Sequence, residues 1–214
     1  SCRNVLVSNC GVFRAAEAGP GQSYGVDVSS CRYVTVQNTI GQDVRHTVQL
    51  DHGSSDVLIQ NCQATSSLGW NGGFDMHGQD NRRVTIRNCT APNVNVAHEE
   101  WLGGASNITI EGGRIDFIVV GPNTTGLRVL NPNSKWIRFT QWDRQGNPFP
   151  ATSRIDRVAV QGGVFTYGGV HIDNTDLDVT SLSFTNTTFI TTSPDRASIN
   201  LQSARGELSF IGCH

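Results

Sequence analysis

The sequence predicts an all-β domain folded as a parallel β-helix, a solenoid whose successive turns, here called coils, pack face to face. Short strand-like runs recur about every 25 residues along the 214-residue chain, which is the spacing of a repeat architecture. Within a run the apolar residues alternate, as at Val84 and Ile86, and this period of two is typical of strands. A hydrophobic fraction of 37% with 23 glycines also favours a turn-rich β protein.

Nine runs define the repeat. They are NVLVSNC (4–10), YVTVQNT (33–39), DVLIQNC (56–62), RVTIRNC (83–89), NITIEGG (107–113), WIRFTQW (136–142), RVAVQGG (157–163), SLSFTNT (181–187) and ELSFIGC (207–213). Their number and spacing predict about nine coils of ~25 residues. No stretch has a sustained period of 3.6 residues, so helices are expected to be minor.

A second strand precedes most of these runs. The second-strand sequences are YGVDV (24–28), HTVQL (46–50), GGFDM (72–76), TGLRVL (125–130), GGVHI (168–172) and ASINL (197–201). Two strands and a shorter third in each coil is the composition of a parallel β-helix. The pattern resembles the right-handed, single-stranded β-helix of pectate-lyase-like proteins over essentially the whole chain, and this resemblance implies the same handedness.

We interpret residues 1–214 as one β-helix domain of a longer chain, because the sequence begins and ends in mid-repeat. Residues 131–156, rich in Asn, Pro and aromatic residues, are predicted to form a coil insertion or excursion. A net charge of −2 argues against a nucleic-acid partner. No apolar run is long enough to cross a membrane, so no membrane partner is expected.

Equivalent residues of stacked coils form columns, because parallel strands lie about 4.8 Å apart. One column contains the asparagines near the ends of five runs, whose amides are expected to form an internal hydrogen-bonded ladder: Asn9, Asn38, Asn61, Asn88 and Asn186. The next column contains Cys10, Cys62, Cys89 and Cys213. We interpret the four cysteines as small buried residues with free thiols. A disulfide between Cys62 and Cys89 is the alternative, because these two residues lie on consecutive coils.

Polar side chains are predicted to line one outer strip of the solenoid. In the second strands, inward residues such as Phe74 and Met76 alternate with outward residues, and the residue after each strand also faces outward. The strip contains Asp27, Gln49, Asp51, Asp75, His77, Arg128, His171 and Asp173, with Arg45, His46 and His52 beside it and His98, Glu99, Glu100 and Trp101 on the next coil. Carboxylates beside imidazoles supply general acid and base at neutral pH. We therefore predict a functional site on this strip.

The strip and its flanks supply the candidate residues, and the catalytic roles are those implied by the resemblances of the surrounding segments to known families. The residues predicted to be catalytic are Asp75, His77, Asp51 and Arg45. Those predicted to bind substrate are His46, Gln49, His52, His98, Glu99, Glu100, Trp101, Arg128 and His171. No cofactor or metal is predicted, and Ca²⁺ is the ion that acids on successive coils would suit.

The segment Asp75-Met76-His77 resembles the Asp-Pro-His motif of mannuronan C5-epimerases and related alginate-modifying enzymes. Met76 replaces the Pro, and Gly78 replaces the acid that follows it. The resemblance implies that His77 removes a proton next to a uronate carboxylate and that Asp75 orients it or neutralises the carboxylate. Arg45 or Arg128 would then clamp that carboxylate.

The longer stretch from Val44 to Cys89 resembles β-helix segments of bacteriophage tail spikes, in which Arg-His precedes one strand and Asp-x-His-Gly closes the next. This resemblance implies an extracellular virion protein, often a homotrimer, that binds and often cleaves bacterial surface polysaccharide. Hydrolysis would use paired carboxylates such as Asp51 and Asp75, or Glu99 and Glu100. Two alternatives stay open: a secreted uronan lyase or C5-epimerase, and a non-catalytic structural or receptor-binding β-helix.

Overall fold

The computed structural model describes residues 2–13, 23–65, 73–77, 80–97, 104–140, 154–173, 178–191, 199–201 and 206–214. Regular structure in this part of the chain consists of strands, and every strand pairing within it is parallel. No helix among the described residues has the length and apolar character needed to cross a membrane.

The strands, in chain order, are β1 (Arg3–Ser8), β2 (Gly11–Phe13), β3 (Tyr24–Ser29), β4 (Arg32–Gln37), β5 (Ile40–Gln42), β6 (His46–Asp51), β7 (Ser55–Gln60), β8 (Gln63–Thr65), β9 (Gly73–Met76), β10 (Asn81–Arg87), β11 (Thr90–Val96), β12 (Ala105–Glu111), β13 (Arg114–Val120), β14 (Thr124–Leu130), β15 (Asn133–Thr140), β16 (Arg154–Gln161), β17 (Val164–Asp173), β18 (Asp178–Val179), β19 (Ser181–Thr185), β20 (Thr188–Phe189), β21 (Ile199–Leu201) and β22 (Glu207–Ile211).

The strands form two parallel sheets that the chain visits alternately. Sheet A has the order β1-β4-β7-β10-β12-β14-β16-β19-β22, with β18 beside β16. Sheet B has the order β2-β5-β8-β11-β13-β15-β17-β20, and β3-β6-β9 joins it through β11 while β21 joins it through β17. Sheet-to-sheet alternation with purely parallel pairing is the architecture of a parallel β-helix, which confirms the predicted fold class. Its handedness and the number of coils stay predictions.

Most of the nine repeat runs lie in sheet A, but the sixth was assigned wrongly. WIRFTQW (136–142) begins in β15 of sheet B, and the sixth strand of sheet A is β14, where Leu127 pairs with Ile108 and Val158. The error arises because a short coil is followed by a long one, so an average spacing near 25 residues selects the wrong alternating segment. Arg128 therefore lies in sheet A and not in the predicted strip.

The predicted excursion at 131–156 is regular structure in its first part. Residues 133–140 form β15, which pairs with β13 on one side and β17 on the other. Residues 141–153 lie outside the described residues.

The core lies between the sheets and is built from the alternating apolar positions. In sheet A, Val57, Val84 and Ile108 stack in one column and are at most 2% exposed. In sheet B, Phe74 and Met76 are each 1% exposed, as their inward prediction requires. Every coil thus buries apolar side chains against the next, which is the main stabilising contribution in a solenoid.

The asparagine column has a different cause from the predicted internal ladder. Asn9, Asn38, Asn61, Asn88, Asn131 and Asn186 all have positive φ angles, and Gly112, Gly162 and Gly212 occupy equivalent turns with positive φ. The asparagines in the predicted column are exposed, and Asn38 Nδ2 donates to Asn9 Oδ1 at 3.2 Å. Asn and Gly alternate here because they adopt the left-handed conformation most readily.

The cysteine column is buried where it crosses the middle of the helix. Cys62 and Cys89 are 2% and 1% exposed, and the Cys62 backbone N–H lies 3.4 Å from Cys89 Sγ. All six cysteines are free. These two therefore act as small core residues, as predicted.

The turn conformation generates a stability prediction at Asn61, whose φ is 52°. Replacing Asn61 with Ala forces a β-carbon without a compensating polar group into the left-handed region, and we expect a loss of about 1 kcal/mol in the free energy of unfolding. Asn61→Gly should lose less, because Gly adopts this region without a steric penalty. Urea unfolding of both variants measures the difference, and equal losses would contradict the left-handed explanation.

The Asp56–Arg83 pair generates a pH prediction. Arg83 Nε and Nη2 donate to the Asp56 carboxylate at 2.6 and 2.8 Å, and this contact lowers the pKa of Asp56 to about 2. A lowered pKa means that ionised Asp56 stabilises the fold above its ordinary pKa, and that this contribution is lost as the pH falls toward 2. The Tm deficit of Asp56→Asn should therefore shrink between pH 5 and pH 2. A Tm deficit that does not change with pH would contradict the stabilisation by ionised Asp56.

Candidate functional site

The outer face of sheet B brings most of the predicted strip into one register. The column of paired residues on this face is Asp27, Gln49, Asp75, Asn95, Val119, Arg138, His171 and Asn200. Arg138 takes the place that the sequence analysis gave to Arg128. The face differs from ordinary strand surface because Gln49, Asp75 and Asn95 are at most 4% exposed although they point away from the core.

A β-bulge in β6 adds His46 to this face. His46 pairs with Gly73 and Val48 pairs with the next residue, Phe74, so His46 and Thr47 together oppose one residue. By simple alternation, His46 would share the inward face of Val48 and Leu50. The extra residue reverses that direction and turns the His46 ring toward Asp75.

His46, Asp75 and His77 form the centre of the site, here called the His–Asp–His cluster. Asp75 Oδ2 lies 3.2 Å from His46 Nε2 and 2.9 Å from His77 Nε2. The side chains of His46 and Asp75 are 1% and 0% exposed, whereas that of His77 is 12% exposed. His77 is therefore the member of the cluster that an external molecule reaches first.

Two neighbours fix the positions of the rings. Tyr24 stacks on His46 with ring centroids 5.7 Å apart, and its hydroxyl accepts a hydrogen bond from Arg45 Nη1 at 3.0 Å. Asn81 Nδ2 donates to the carbonyl of His77 at 2.6 Å, while Asn81 Oδ1 accepts from the Ser54 N–H at 3.0 Å. Asn81 is fully buried and so anchors the backbone at His77.

Buried amides surround the cluster along the column. Gln49 is in register below Asp75, and Asn95 is in register above it. Asn93 Nδ2 donates to Asn95 Oδ1 at 3.2 Å. Sequence analysis missed the two asparagines, although the alternation in TAPNVNV (90–96) could have placed both on the outer face.

A second group of acids adjoins the cluster. Asp51 lies 2.8 Å from His52 Nδ1 through Oδ2, and Ser29 Oγ lies 3.3 Å from the same nitrogen. The pKa of Asp27 is raised, first by partial burial and then by the negative charge of Asp51, while His77 and His52 act in the opposite direction. Asp51 and His77 therefore lie close enough to Asp27 to influence its charge.

His171 lies on the same face but not in the cluster. It is four strands from Asp75 along the column, about 19 Å at the spacing of parallel strands. Its ring meets Trp136 edge-on at 6.2 Å, and Trp136 in turn packs on Phe117 at 4.7 Å. Sugar rings commonly pack against aromatic faces of this kind, so this patch is a separate candidate contact.

Among the remaining predicted residues, Arg128 lies away from the cluster. Arg128 is a correction: it pairs with Thr109 and Ala159 in sheet A, since the register there was misassigned. The predicted binding residues His98, Glu99, Glu100 and Trp101 lie outside the described residues.

The cluster offers two kinds of chemistry. A carboxylate held against a partly exposed imidazole is the arrangement of a general acid–base pair. The ligand atoms of His46, Asp75 and His77 also all lie within 4.8 Å of one another, so the same residues could hold a metal ion.

The chain is similar in part of its sequence to a phage protein, and its fold is similar to that of a solved surface adhesin. No family model matches the chain. Over 97 residues, 42% of this chain, it is 35% identical to the "Depolymerase, capsule K1-specific" of Klebsiella phage K64-1, and this match spans 10% of that protein.

Two solved structures are similar in fold. The surface adhesin PfbA of Streptococcus pneumoniae superposes with a TM-score of 0.58 at 14% identity, over 98% of this chain and 63% of the adhesin. The catalytic domain of a GH87 alpha-1,3-glucanase gives a TM-score of 0.48 at 12% identity, over 97% of this chain and 44% of the glucanase. The chain is a parallel β-helix. At such low identity the adhesin shows the fold alone.

The acidic neighbours generate a prediction for titration. Because the charge of Asp51 raises the pKa of Asp27, Asp51→Asn should lower the pKa of Asp27 toward its ordinary value. Carboxyl ¹³C NMR titration of Asp27 measures this change. Asp116→Asn, which removes a carboxylate paired with Lys135 on another part of sheet B, is the matched control and should leave Asp27 unaffected. An unchanged Asp27 in Asp51→Asn would contradict the placement of the two acids.

Proposed function

We propose that this chain forms the substrate-facing part of a β-helix depolymerase that acts on an acidic bacterial surface polysaccharide. The observation that carries the proposal is the contact of His77 Nε2 with the buried Asp75 carboxylate at 2.9 Å on an outward face. In an ordinary surface pair the carboxylate stays solvated. The Asp75 side chain is instead 0% exposed, and burying an ionised group costs free energy unless a partner compensates its charge.

The reaction that suits this pair best is β-elimination at a uronate. With Nε2 toward Asp75, the other ring nitrogen of His77, Nδ1, accepts the proton on the carbon next to the sugar carboxylate. The electron pair left behind forms a double bond in the ring as the glycosidic C–O bond breaks, and the leaving oxygen takes up a proton. Asp75 stabilises the imidazolium that His77 becomes, and His46 holds the same carboxylate from the other side.

Arg45 is the proposed clamp for the substrate carboxylate. It precedes His46 in the chain, and its guanidinium lies 5.6 Å from the centroid of the Tyr24 ring that stacks on His46. A cation at this position neutralises the charge that develops when the proton next to the carboxylate is removed.

The similarity to a phage protein named as a capsule-specific depolymerase supports the substrate class. It also supports an extracellular, tail-associated role in a virion, which we include in the proposal together with a homotrimeric assembly. An epimerase would use the same proton removal but return the proton to the opposite face of the sugar without breaking the chain.

Hydrolysis is the second candidate, and Asp27 favours it. Asp27 and Asp51 lie on the neighbouring strands β3 and β6, and partial burial together with the charge of Asp51 raises the pKa of Asp27. Two nearby carboxyl groups, one of them with a raised pKa, are the arrangement of a glycoside hydrolase.

A release assay on a panel of bacterial capsular and uronate polysaccharides tests the proposal. We expect the wild-type protein to release fragments that carry the ultraviolet absorbance of an unsaturated uronate, and His77→Ala to lose at least about a hundredfold in rate, as expected for a general base. His214→Ala, at the end of the chain, is the control and should keep wild-type activity.

Other outcomes point elsewhere. Reducing ends without ultraviolet absorbance, lost in Asp27→Asn, would mean hydrolysis. An altered uronate stereochemistry without cleavage would mean epimerisation. Binding of a polymer with no chemical change would contradict the catalytic role and favour a receptor-binding β-helix.

A further inference from the structure

The His–Asp–His cluster has the geometry of a metal site as well as that of an acid–base pair. A nitrogen or oxygen ligand lies about 2.0–2.2 Å from a zinc-class ion, so ligands in neighbouring coordination positions lie about 3–3.5 Å apart. The contacts of Asp75 Oδ2 with the two ring nitrogens, at 3.2 and 2.9 Å, match this spacing. The ligand atoms of all three residues lie within 4.8 Å of one another, so one ion would draw the side chains closer together.

The backbone that holds these ligands is fixed. His46 begins β6 at the bulge, Asp75 lies in β9, and β6 and β9 are paired strands. His77 follows β9 directly, its N–H donates to the Leu50 carbonyl at 3.0 Å, and its own carbonyl is held by Asn81. Ligands on paired strands with an anchored turn form a preorganised site.

The donor set selects the class of ion. Two imidazoles and one carboxylate suit Zn²⁺ and related divalent transition metals, whereas Ca²⁺ and Mg²⁺ favour sites made of oxygen ligands. This departs from the sequence-based expectation, which named no metal and kept Ca²⁺ open.

Gln49 supplies an independent observation. It is 4% exposed, lies in register with Asp75 on the same face, and its Oε1 has no hydrogen-bond partner among the residues that the structure describes. A buried amide oxygen without a donor is costly. An ion at the cluster, or a water bound to that ion, would satisfy it.

We propose that His46, Asp75 and His77 bind one divalent transition-metal ion of the zinc class, with Gln49 Oε1 as a further ligand or as the acceptor for a metal-bound water. Binding requires the Nε2 lone pair of His77, so the ring proton must sit on Nδ1. A ring protonated at Nδ1 cannot accept the substrate proton there. The ion is therefore an inhibitor of the proton transfer, a consequence that rests on the proposed function, whereas the binding itself does not.

Binding is tested on the metal-free protein without any substrate. Titration calorimetry with Zn²⁺ should give one ion per chain, and Co²⁺ should produce the visible absorption of a low-symmetry site with nitrogen ligands. His77→Gln, at the most exposed of the three positions, should weaken binding by at least about tenfold. Asp75→Asn, which keeps the shape of the side chain, should do the same.

Controls separate this site from surface binding. His214→Ala should bind as the wild type does, and excess Ca²⁺ should not displace Co²⁺. Thermal melts of each variant show whether it is folded. No uptake by the wild-type protein, equal affinity in His77→Gln and Asp75→Asn, or displacement by Ca²⁺ would overturn the proposal.

Activity measurements distinguish the depolymerase proposal from the metal-site proposal. If a polysaccharide is cleaved, Zn²⁺ should slow cleavage and a chelator should restore it, and an acceleration by Zn²⁺ would overturn the inhibitory role. Failure to bind metal in an active protein would refute the metal site and leave the depolymerase intact. Metal binding by a protein that cleaves nothing would refute the depolymerase and leave the metal site.

Discussion

The hydrogen-bonded register between successive coils is the constraint on which the rest of this structure depends. Once Val84 pairs with Val57 and Ile108, the direction of each remaining side chain in those three strands, inward or outward, is fixed. The left-handed turn after each sheet A strand preserves that register, because Asn or Gly redirects every coil in the same way. The same constraint brings Gln49, Asp75 and Asn95, which are far apart in sequence, into one column.

The candidate site arises at a β-bulge that interrupts this regularity. A single extra residue in β6 reverses the direction of His46 and places a second imidazole against Asp75. This arrangement buries the Asp75 carboxylate outside the apolar core, among the buried amides of Gln49, Asn93 and Asn95, and this burial costs free energy. Positive charge nearby stabilises such a carboxylate, and a proton on one of the rings or a bound cation would supply it within the cluster. The acid–base and metal proposals correspond to these two sources of charge.

Alternation explains which parts of the site could be predicted. Asp75 and His77 are two residues apart, so their shared face follows from strand geometry alone. The sequence predicts His46 beside the strip. Its contact with Asp75, however, depends on a β-bulge that cannot be predicted from the residue pattern. Arg128 was misplaced because β14 and β15 are both alternating segments, and only pairing partners show which sheet each joins. The burial of Asn93 and Asn95 is likewise a property of the assembled face.

Competition between a proton and a metal ion for the same atoms links the two proposals. His77 Nε2 faces the carboxylate in both, so the identity of the cation beside Asp75 decides whether Nδ1 is an acceptor or a donor toward a substrate. With a proton shared in the cluster, Nδ1 is available to remove a substrate proton. With a metal ion, Nδ1 carries hydrogen and can only bind an acceptor, such as a sugar oxygen. Under the two proposals, the same cluster therefore removes a substrate proton only while no metal ion is bound.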